Sequence, residues 1–275
     1  MELIESFYKH EKYPYELIVV DNGSHDSEGE TIKKRYPQVK VVQNTNTGFA
    51  GGNNTGINVA KGDYLLFINN DTIIKEPILS SQIKRLEMSP QNGGVSPMIK
   101  YTYVPNTIQY AEYTEFTSIT LRNSMIGEHQ KDNGQFSQPH KTAALHGAAM
   151  MISRNVSQHI GFMTEVYFLF YKEFDWSTQI RRAGYHLWYE SSAIVYHKES
   201  MTAKRGTLSR EYYLSRTRIL FARRNIYGIK KYLSCLYISC IAAPQKAIIY
   251  LIHGKFRLAI AVVQGTLNGI IVQSR

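Results

Sequence analysis

Three short apolar runs, residues 16–21 (ELIVVD), 39–43 (VKVVQ) and 62–69 (GDYLLFIN), alternate with segments of helical period. That alternation is the strongest constraint on the fold, because strands separated by helices build a parallel, doubly wound sheet. A helical segment near residues 27–36 separates the first two runs, and a glycine-rich helix start, GFAGGNNTGINVAKG (48–62), leads into the third. Pro77 opens another helix and GGVSPMI (93–99) another strand. The first ten residues already read as a helix, with Leu3, Ile4 and Phe7 on one face. Since a strand normally precedes the first helix of such a unit, the pattern reads as one strand short.

Further along, residues 101–140 are polar, aromatic and poorly periodic, and read as a hairpin or variable loop region. TAALHGAAMMISR (142–154) is strand-like. FDWSTQIRRAGY (174–185) reads as a short helix with Asp175 as its N-cap and Gly184 as its C′ residue. HLWYE (186–190) and AIVYH (193–197) read as two more short strands, the second ending in His197.

The last part differs in kind. Of 32 Lys+Arg and 22 Asp+Glu, residues 201–275 hold 13 and one, Glu211, so the net charge of +10 comes from the tail. SREYYLSRTRILFARRN (209–225) is a basic helix. YLSCLYISCIAAPQKAIIYLIHGKF (232–256) is apolar but broken by Pro244, Gln245 and Lys246, so neither half reaches the ~20 apolar residues a bilayer crossing needs. The tail reads as basic amphipathic helices on an anionic membrane surface, with a soluble helical cap as the alternative. Arginines interleaved with long aliphatics argue against a nucleic-acid partner. Cys235 and Cys240 are the only cysteines, which excludes a disulfide scaffold and suits a reducing compartment. The opening MELIE is acidic and carries no secretory signal.

The chemistry concentrates at strand ends. Residues 65–71 (LLFINND) turn from apolar to two amides and a carboxylate. Asn and Asp are ordinary turn formers, but the carboxyl ends of strands are also where open α/β sheets bind ligands. Asp71 is the best metal candidate, since Mg²⁺ or Mn²⁺ on a diphosphate takes only one or two protein carboxylates. Asn69 and Asn70 suit a sugar or phosphate. His197 is a candidate second ligand, against the commoner structural role of a lone strand-end histidine. Asp21 and Asn22 suit a base or ribose, or a tight turn with a helix cap. Gly48, Gly51, Gly52 and Gly56 let backbone approach a ligand at a helix N-terminus, without the spacing of a Walker or dinucleotide motif. Glu173 and Asp175 sit among aromatic residues in YKEFDW, as a general base would, or as an exposed acid beside a helix cap. Two acids on one segment cannot flank a sugar from opposite sides, which argues against a glycosidase pair.

In order, YPYELIVVDNGSHD, NTGFAGGNNTGINVAKGDYLLFINNDT, HGAAMMISR, GFMTEVYFLFYKEFDWSTQIRRAGY and AIVYHKES resemble the family 2 glycosyltransferases of the GT-A fold, particularly the bacterial rhamnosyltransferase-like branch. YYLSRTRILFARRN resembles the segment that follows the catalytic domain there. The resemblance implies an α/β GT-A domain, a doubly wound mixed sheet, over residues 1–204 and a helical extension over 205–275. It implies inverting transfer from a nucleotide-diphosphate sugar to a cell-envelope glycan or polyprenyl-linked acceptor, at the inner face of the cytoplasmic membrane. Asp21, Asn22, Gly48, Gly52, Asn53, Asn69 and Asn70 fall on the donor side. Asp71 matches the metal-binding acid of the family's Asp-x-Asp-like motif, with Asn69 in first place, and His197 the histidine that completes the site with Mg²⁺ or Mn²⁺. Glu173 matches the catalytic base, and Asp175 and Trp176 the acceptor side. Two departures stand out: Lys172 where the branch often has an acid, and the strand before the first helix, which in the family contributes to the nucleotide pocket. They leave open a fragment, a mis-started reading frame, or a catalytically impaired sugar-nucleotide-binding or scaffold protein.

Overall fold

The computed structural model describes residues 1–24, 28–198 and 206–273. Helix α1 (Glu2–His10) turns Leu3, Ile4 and Phe7 inward, the face its spacing predicts. Then come β1 (Ile18–Asn22), α2 (Glu28–Arg35), β2 (Lys40–Asn44), α3 (Gly48–Val59) and β3 (Tyr64–Ile68). The helix start expected at Ser27 lies outside the described residues. A short turn leads to β4 (Thr72–Ile74), α4 (Leu79–Glu87) and β5 (Asn92–Tyr101). The aromatic region after β5 holds four short strands: β6 (Ile108–Tyr110), β7 (Glu112–Tyr113), β8 (Met125–Ile126) and β9 (His140–Lys141). The body closes with β10 (Ala149–Ser153), α5 (Arg154–Ile160), α6 (Lys172–Arg182) and β11 (His186–His197).

The main sheet has seven strands on the path β3–β10–β5–β11–β4, with β6 on β5 and β9 on β11. It is mixed: β10 runs antiparallel to both β3 and β5, while β11 runs parallel to β5. The βα alternation alone predicts parallel strands, and it holds for β1 and β2, which form a separate parallel pair. Every residue of β5 is buried, because one side chain cluster, with Ile78, Ile83 and Ile99, fills one face of the sheet. A second, with Leu145, Trp176, Ile180 and Leu187, fills the other. Each such fully buried aliphatic or aromatic side chain contributes roughly 1.5–3 kcal/mol.

Two expectations are corrected here. The segments 186–190 and 193–197 are one strand of 12 residues. Ser191 and Ser192 break the apolar pattern, but a register shift between Glu190 and Ile194 absorbs them and the pairing with β5 resumes. Of the strand-like residues 142–154, only Ala149–Ser153 form a strand. The Ser153 hydroxyl accepts the Val156 N–H and starts α5.

The tail consists of α7 (Leu208–Asn225), α8 (Gly228–Tyr237), a π-helical turn (Ile238–Ala242), α9 (Ala243–Ile252) and α10 (Phe256–Ile271). The boundary expected at residues 204 and 205 lies outside the described residues. Pro244 does not break the chain: residues 228–252 form a continuous helix of 25 residues, long and apolar enough to cross a membrane by length and composition. Proline lacks the N–H of an i→i−4 bond and its ring crowds the carbonyl one turn back. The wider π-helical turn just before it relieves that conflict. α10 lies close on α7, where a Cβ on Gly265 would overlap the Tyr212 carbonyl and one on Gly269 the Arg216 carbonyl. Arg223 Nη1 donates to the carbonyls of Gly269 (2.8 Å) and Val272 (2.7 Å), closing the end of α10.

Candidate active site

The chain leaves β3 in a tight turn. Asn69 N–H donates to the Ala148 carbonyl (2.9 Å), and the Thr72 hydroxyl donates to the Asn69 carbonyl (2.7 Å). Asp71 sits inside this turn and Asn70 is exposed at its apex. Thr72 pairs with His197 in the β4–β11 ladder, so His197 Nε2 lies 3.2 Å from Asp71 Oδ1. His197 is buried, with Nδ1 2.8 Å from Gln109 Oε1. Its other ring nitrogen, Nε2, faces the carboxylate, and an imidazole and a carboxylate set against one another fit a shared divalent cation. No group of three or more His, Cys, Asp or Glu assembles among the described residues. Asp71 and His197 would therefore leave the rest of the shell to diphosphate oxygens and water, as Mg²⁺ or Mn²⁺ sites commonly do.

Glu173 reaches the same neighbourhood from α6. Phe170 (φ 62°) and Tyr171 (φ 61°) are both left-handed and turn the chain sharply into the helix. Its carboxyl group packs on Gly147, where a Cβ would stand 3.6 Å away. Gly147 precedes Ala148, the acceptor of the Asn69 N–H. The start of β10 thus joins the Asp71 turn to Glu173. Lys172 is buried, with Nζ 3.2 Å from Glu173 Oε2 and 4.2 Å from the centre of the Phe49 ring.

His146 completes this patch and carries no readable signal in the sequence, being a single histidine among small residues. Its ring stacks on Tyr113 (5.8 Å, 5°) and meets the His197 ring edge-on at 6.4 Å. The Ala148 N–H donates to its Nδ1 (3.1 Å). Burial, then the His197 and Lys172 charges, push its pKa down to about 3. The ring is neutral and forms an uncharged wall.

On the proposed donor side the residues are tied to one another. Asp21 is buried, and its oxygens accept from Ser24 N–H (2.9 Å) and Gly29 N–H (3.2 Å). The Ser24 hydrogen bonds hold its carboxyl below the usual carboxylate range. This carboxylate is engaged in the β1–α2 turn rather than turned out to a base. Asn22 Nδ2 donates to the Gly48 carbonyl (2.9 Å) and its Oδ1 accepts from Asn44 (2.8 Å), pinning the loop ahead of α3. Gly48 has φ 74°, and a Cβ there would meet the Phe168 carbonyl at 2.6 Å, so the position requires glycine. A Cβ on Gly52 would lie 3.2 Å from Asn22. Asn53 bonds back along its own helix, to the Phe49 carbonyl (2.9 Å).

Asp175 and Trp176 depart from expectation. Asp175 is not an N-cap: α6 begins at Lys172, and Asp175, 1% exposed, lies inside its first turn. Its carboxylate accepts from Thr164 (2.9 Å), Tyr167 (3.1 Å), Gln179 (2.7 Å), Arg224 (3.2 Å) and Asn225 (2.6 Å). Trp176, also 1% exposed, packs edge-on against Phe67 (5.4 Å) and donates to the Gly161 carbonyl (3.1 Å). Both point into the protein, not toward an acceptor, because this face of α6 is the one covered by the sheet and α7. A hollow of about 350 Å³ between α7 and α10 is lined by Leu208, Tyr212, Ile260 and their neighbours with no acid or histidine; it lacks the chemistry of the Asp71–Glu173 patch.

The fold matches that of GalNAc-T7 solved with UDP, GalNAc and Mn²⁺, with a TM-score of 0.61 at 16% identity over 93% of this chain. The chain spans 55% of that one. Its mixed sheet with a helical extension is that of the GT-A glycosyltransferases. The chain belongs to glycosyl transferase family 2, whose model matches residues 1–161. Its relatives include the low-salt glycan biosynthesis hexosyltransferase Agl10 of Haloferax volcanii, 27% identical over 234 residues, 82% of this chain and 73% of that protein. They also include the N-acetylglucosaminyl-diphospho-decaprenol L-rhamnosyltransferase of Mycobacterium tuberculosis, 20% identical over 220 residues, 71% of this chain and 70% of that protein.

Proposed function

We propose that this glycosyltransferase moves a hexosyl or rhamnosyl group, with inversion, from a nucleotide-diphosphate sugar to a cell-envelope glycan or polyprenyl-linked acceptor. The observation that carries the reading is the junction at β10, where Glu173 rests on Gly147 and the turn that holds Asp71 bonds the next residue's carbonyl through Asn69 N–H. Glu173 accepts the proton of an acceptor hydroxyl while that oxygen attacks the anomeric carbon. The bond from that carbon to the diphosphate breaks, and its electrons leave with the phosphate oxygen. A divalent cation held by Asp71 and His197 would neutralise charge on the departing diphosphate. Asn69 and Asn70 bind donor oxygens, and the loop held by Asn22, with Asp21, Gly48, Gly52 and Asn53 around it, forms the nucleotide side. The GalNAc-T7 structure with UDP and Mn²⁺ and the two relatives' names support donor and acceptor class.

The same proposal locates the protein on the anionic inner face of the cytoplasmic membrane. Ile229, Tyr232, Leu236, Ile252, Phe256 and Ile271 are exposed on the tail helices, beside Lys230, Lys231, Lys255 and Arg257. A second reading, an impaired sugar-nucleotide-binding or scaffold protein, draws support from the buried Lys172–Glu173 ion pair, which ties up the carboxylate that must take the proton.

Thermal shift and turnover with UDP-, GDP- and dTDP-sugars and Mn²⁺ separate the two readings. Glu173→Gln is expected to lose about 10²–10⁴-fold in kcat while keeping nucleotide-sugar binding; an active variant moves the base elsewhere. Asp71→Ala is expected to abolish Mn²⁺-dependent donor binding. An unmodified chain that binds donor and never turns over favours the impaired protein.

A further inference from the structure

His146 carries one hydrogen-bond donor that the protein itself does not use. Its backbone is pinned twice: the N–H donates to the Ser96 hydroxyl (2.9 Å), and the carbonyl accepts the Ala149 N–H (3.2 Å). The Ser96 hydroxyl is fixed in turn, since it donates to the Ala149 carbonyl (3.0 Å). The ring is held as firmly. Ala148 N–H donates to Nδ1 (3.1 Å), and the Tyr110 and Tyr113 rings lie against it at 4.9 and 5.8 Å. A backbone N–H can only donate, so Nδ1 presents its lone pair and the ring proton sits on Nε2.

Only 8% of His146 is exposed. Among the described residues Nε2 donates to no acceptor, yet the atom is not sealed from solvent. Polar groups this deeply placed are nearly always paired, and a structural histidine would spend both nitrogens inside the protein. Here one nitrogen fixes the ring and the other is left over.

The neighbours on either side say what that donor meets. The His146 ring stands edge-on to the His197 ring at 6.4 Å, and His197 Nε2 lies 3.2 Å from Asp71 Oδ1. On the other side, the carboxyl carbon and Oε1 of Glu173 are each 3.6 Å from the Cβ position of Gly147, the next residue. In the proposed transfer, on which this inference rests, the diphosphate lies at Asp71 and His197 and the acceptor hydroxyl at Glu173. The group between them is the sugar being moved.

We propose that the Nε2–H of His146 donates to an oxygen of the transferred sugar and so selects which sugar is moved. A donor fixed in direction, with no lone pair to offer, is matched by a sugar that presents an oxygen at that place. A sugar deoxygenated there would leave a buried donor unpaired, the kind of loss that binding sites discriminate against strongly.

The test is calorimetric binding to the full chain with Mn²⁺, using UDP-glucose, GDP-mannose and dTDP-rhamnose beside UDP, GDP and dTDP. The nucleotide-sugar that binds the unmodified chain tightest is carried forward with its nucleotide. His146→Asn keeps an oxygen near the place of Nδ1 for the Ala148 N–H but does not reach as far as Nε2. It is expected to weaken the nucleotide-sugar about tenfold and to leave the matching nucleotide unchanged. Among monodeoxy derivatives of that donor, one is expected to bind the unmodified chain about tenfold more weakly and to bind the Asn variant as well as the parent sugar does. Equal weakening of nucleotide-sugar and nucleotide overturns the proposal, because the ring is then only structural; no weakening of either overturns it too. Deoxy derivatives that all bind the unmodified chain like the parent overturn it without any variant. An unmodified chain that binds none of the six ligands overturns the transfer itself and this inference with it, whereas binding that His146→Asn leaves intact overturns this inference alone. Turnover is not read, so failure here is distinguishable from failure of the Glu173 assignment.

Discussion

The sheet body and the helical tail use the same apolar residue types to opposite ends. Of the 25 large hydrophobic residues exposed among the described residues, 17 lie between Leu208 and Ile271. The body buries its Ile, Leu and Val because β5 and its neighbours have helices or strands on both faces. In the tail, α10 packs on α7 and α9, and the helix over residues 228–252 keeps only 11% of its most apolar stretch inside the protein. Burial here follows from layer number rather than composition: a two-faced layer closes on itself, and a single layer of helices leaves one side for a neighbour of another kind. What joins the two regions is an apolar cluster, with Leu121, Tyr167 and Phe174 of the body against Ile219, Leu220 and Phe221 of α7, and beside it a polar knot in which Asp175 of α6 receives Arg224 and Asn225 of α7.

The sharpest way to break the comparison is to cut that knot. Asp175→Ala strands the Arg224 guanidinium and four other donors around a buried site, and is expected to cost about 3–5 kcal/mol in denaturant unfolding; a loss below 1 kcal/mol would mean the apolar cluster alone joins the regions. Next, Gly269→Leu forces a side chain into the α7–α10 contact and is expected to cost about 1–3 kcal/mol, with the change in exchange confined to α7 and α10. The body has its own probe in acid. The folded state holds His146 far below its usual pKa of about 6.5, so the unfolded chain binds the proton first and stability falls as pH drops below about 6.5. His146→Gln is expected to remove about 1 kcal/mol per pH unit of that slope, measured against the unmodified chain between pH 6.5 and 5. Smallest in stability, Leu236→Glu on the outward face is expected to change folding by less than about 0.5 kcal/mol while weakening co-sedimentation with anionic vesicles. A folding loss of several kcal/mol there would mean that the face is packed rather than free.

The strand tips are legible in the sequence because LLFINND carries both an apolar run and its stop. The meeting of Asp71 with His197 rests on the Thr72↔His197 register, which no local pattern encodes. Asp175 misleads for a physical reason: an N-cap aspartate and a buried one look alike in a short window, and the partners that distinguish them, Thr164, Tyr167 and Asn225, are remote. Pro244 misleads in the same way, because a π-helical turn just ahead of it lets the helix continue past a proline that an unbroken α-helix rejects. His146 escapes reading altogether, since only the assembled rings of Tyr113 and His197 give it a role.

Two successive residues with side chains, Phe170 and Tyr171, hold left-handed backbone angles that cost roughly 1–2 kcal/mol each. Their rings offset that cost: Tyr171 lies against Phe116 (6.0 Å) and Phe221 (5.4 Å), and Arg210 covers Phe170 (5.4 Å). The bend thus behaves as a wound spring kept shut by the tail's own helix, two residues from the carboxylate of Glu173. Loosening Phe221 is expected to let the spring relax and carry that carboxylate away from Gly147, so a residue outside the proposed site would set how firmly the proposed base is aimed.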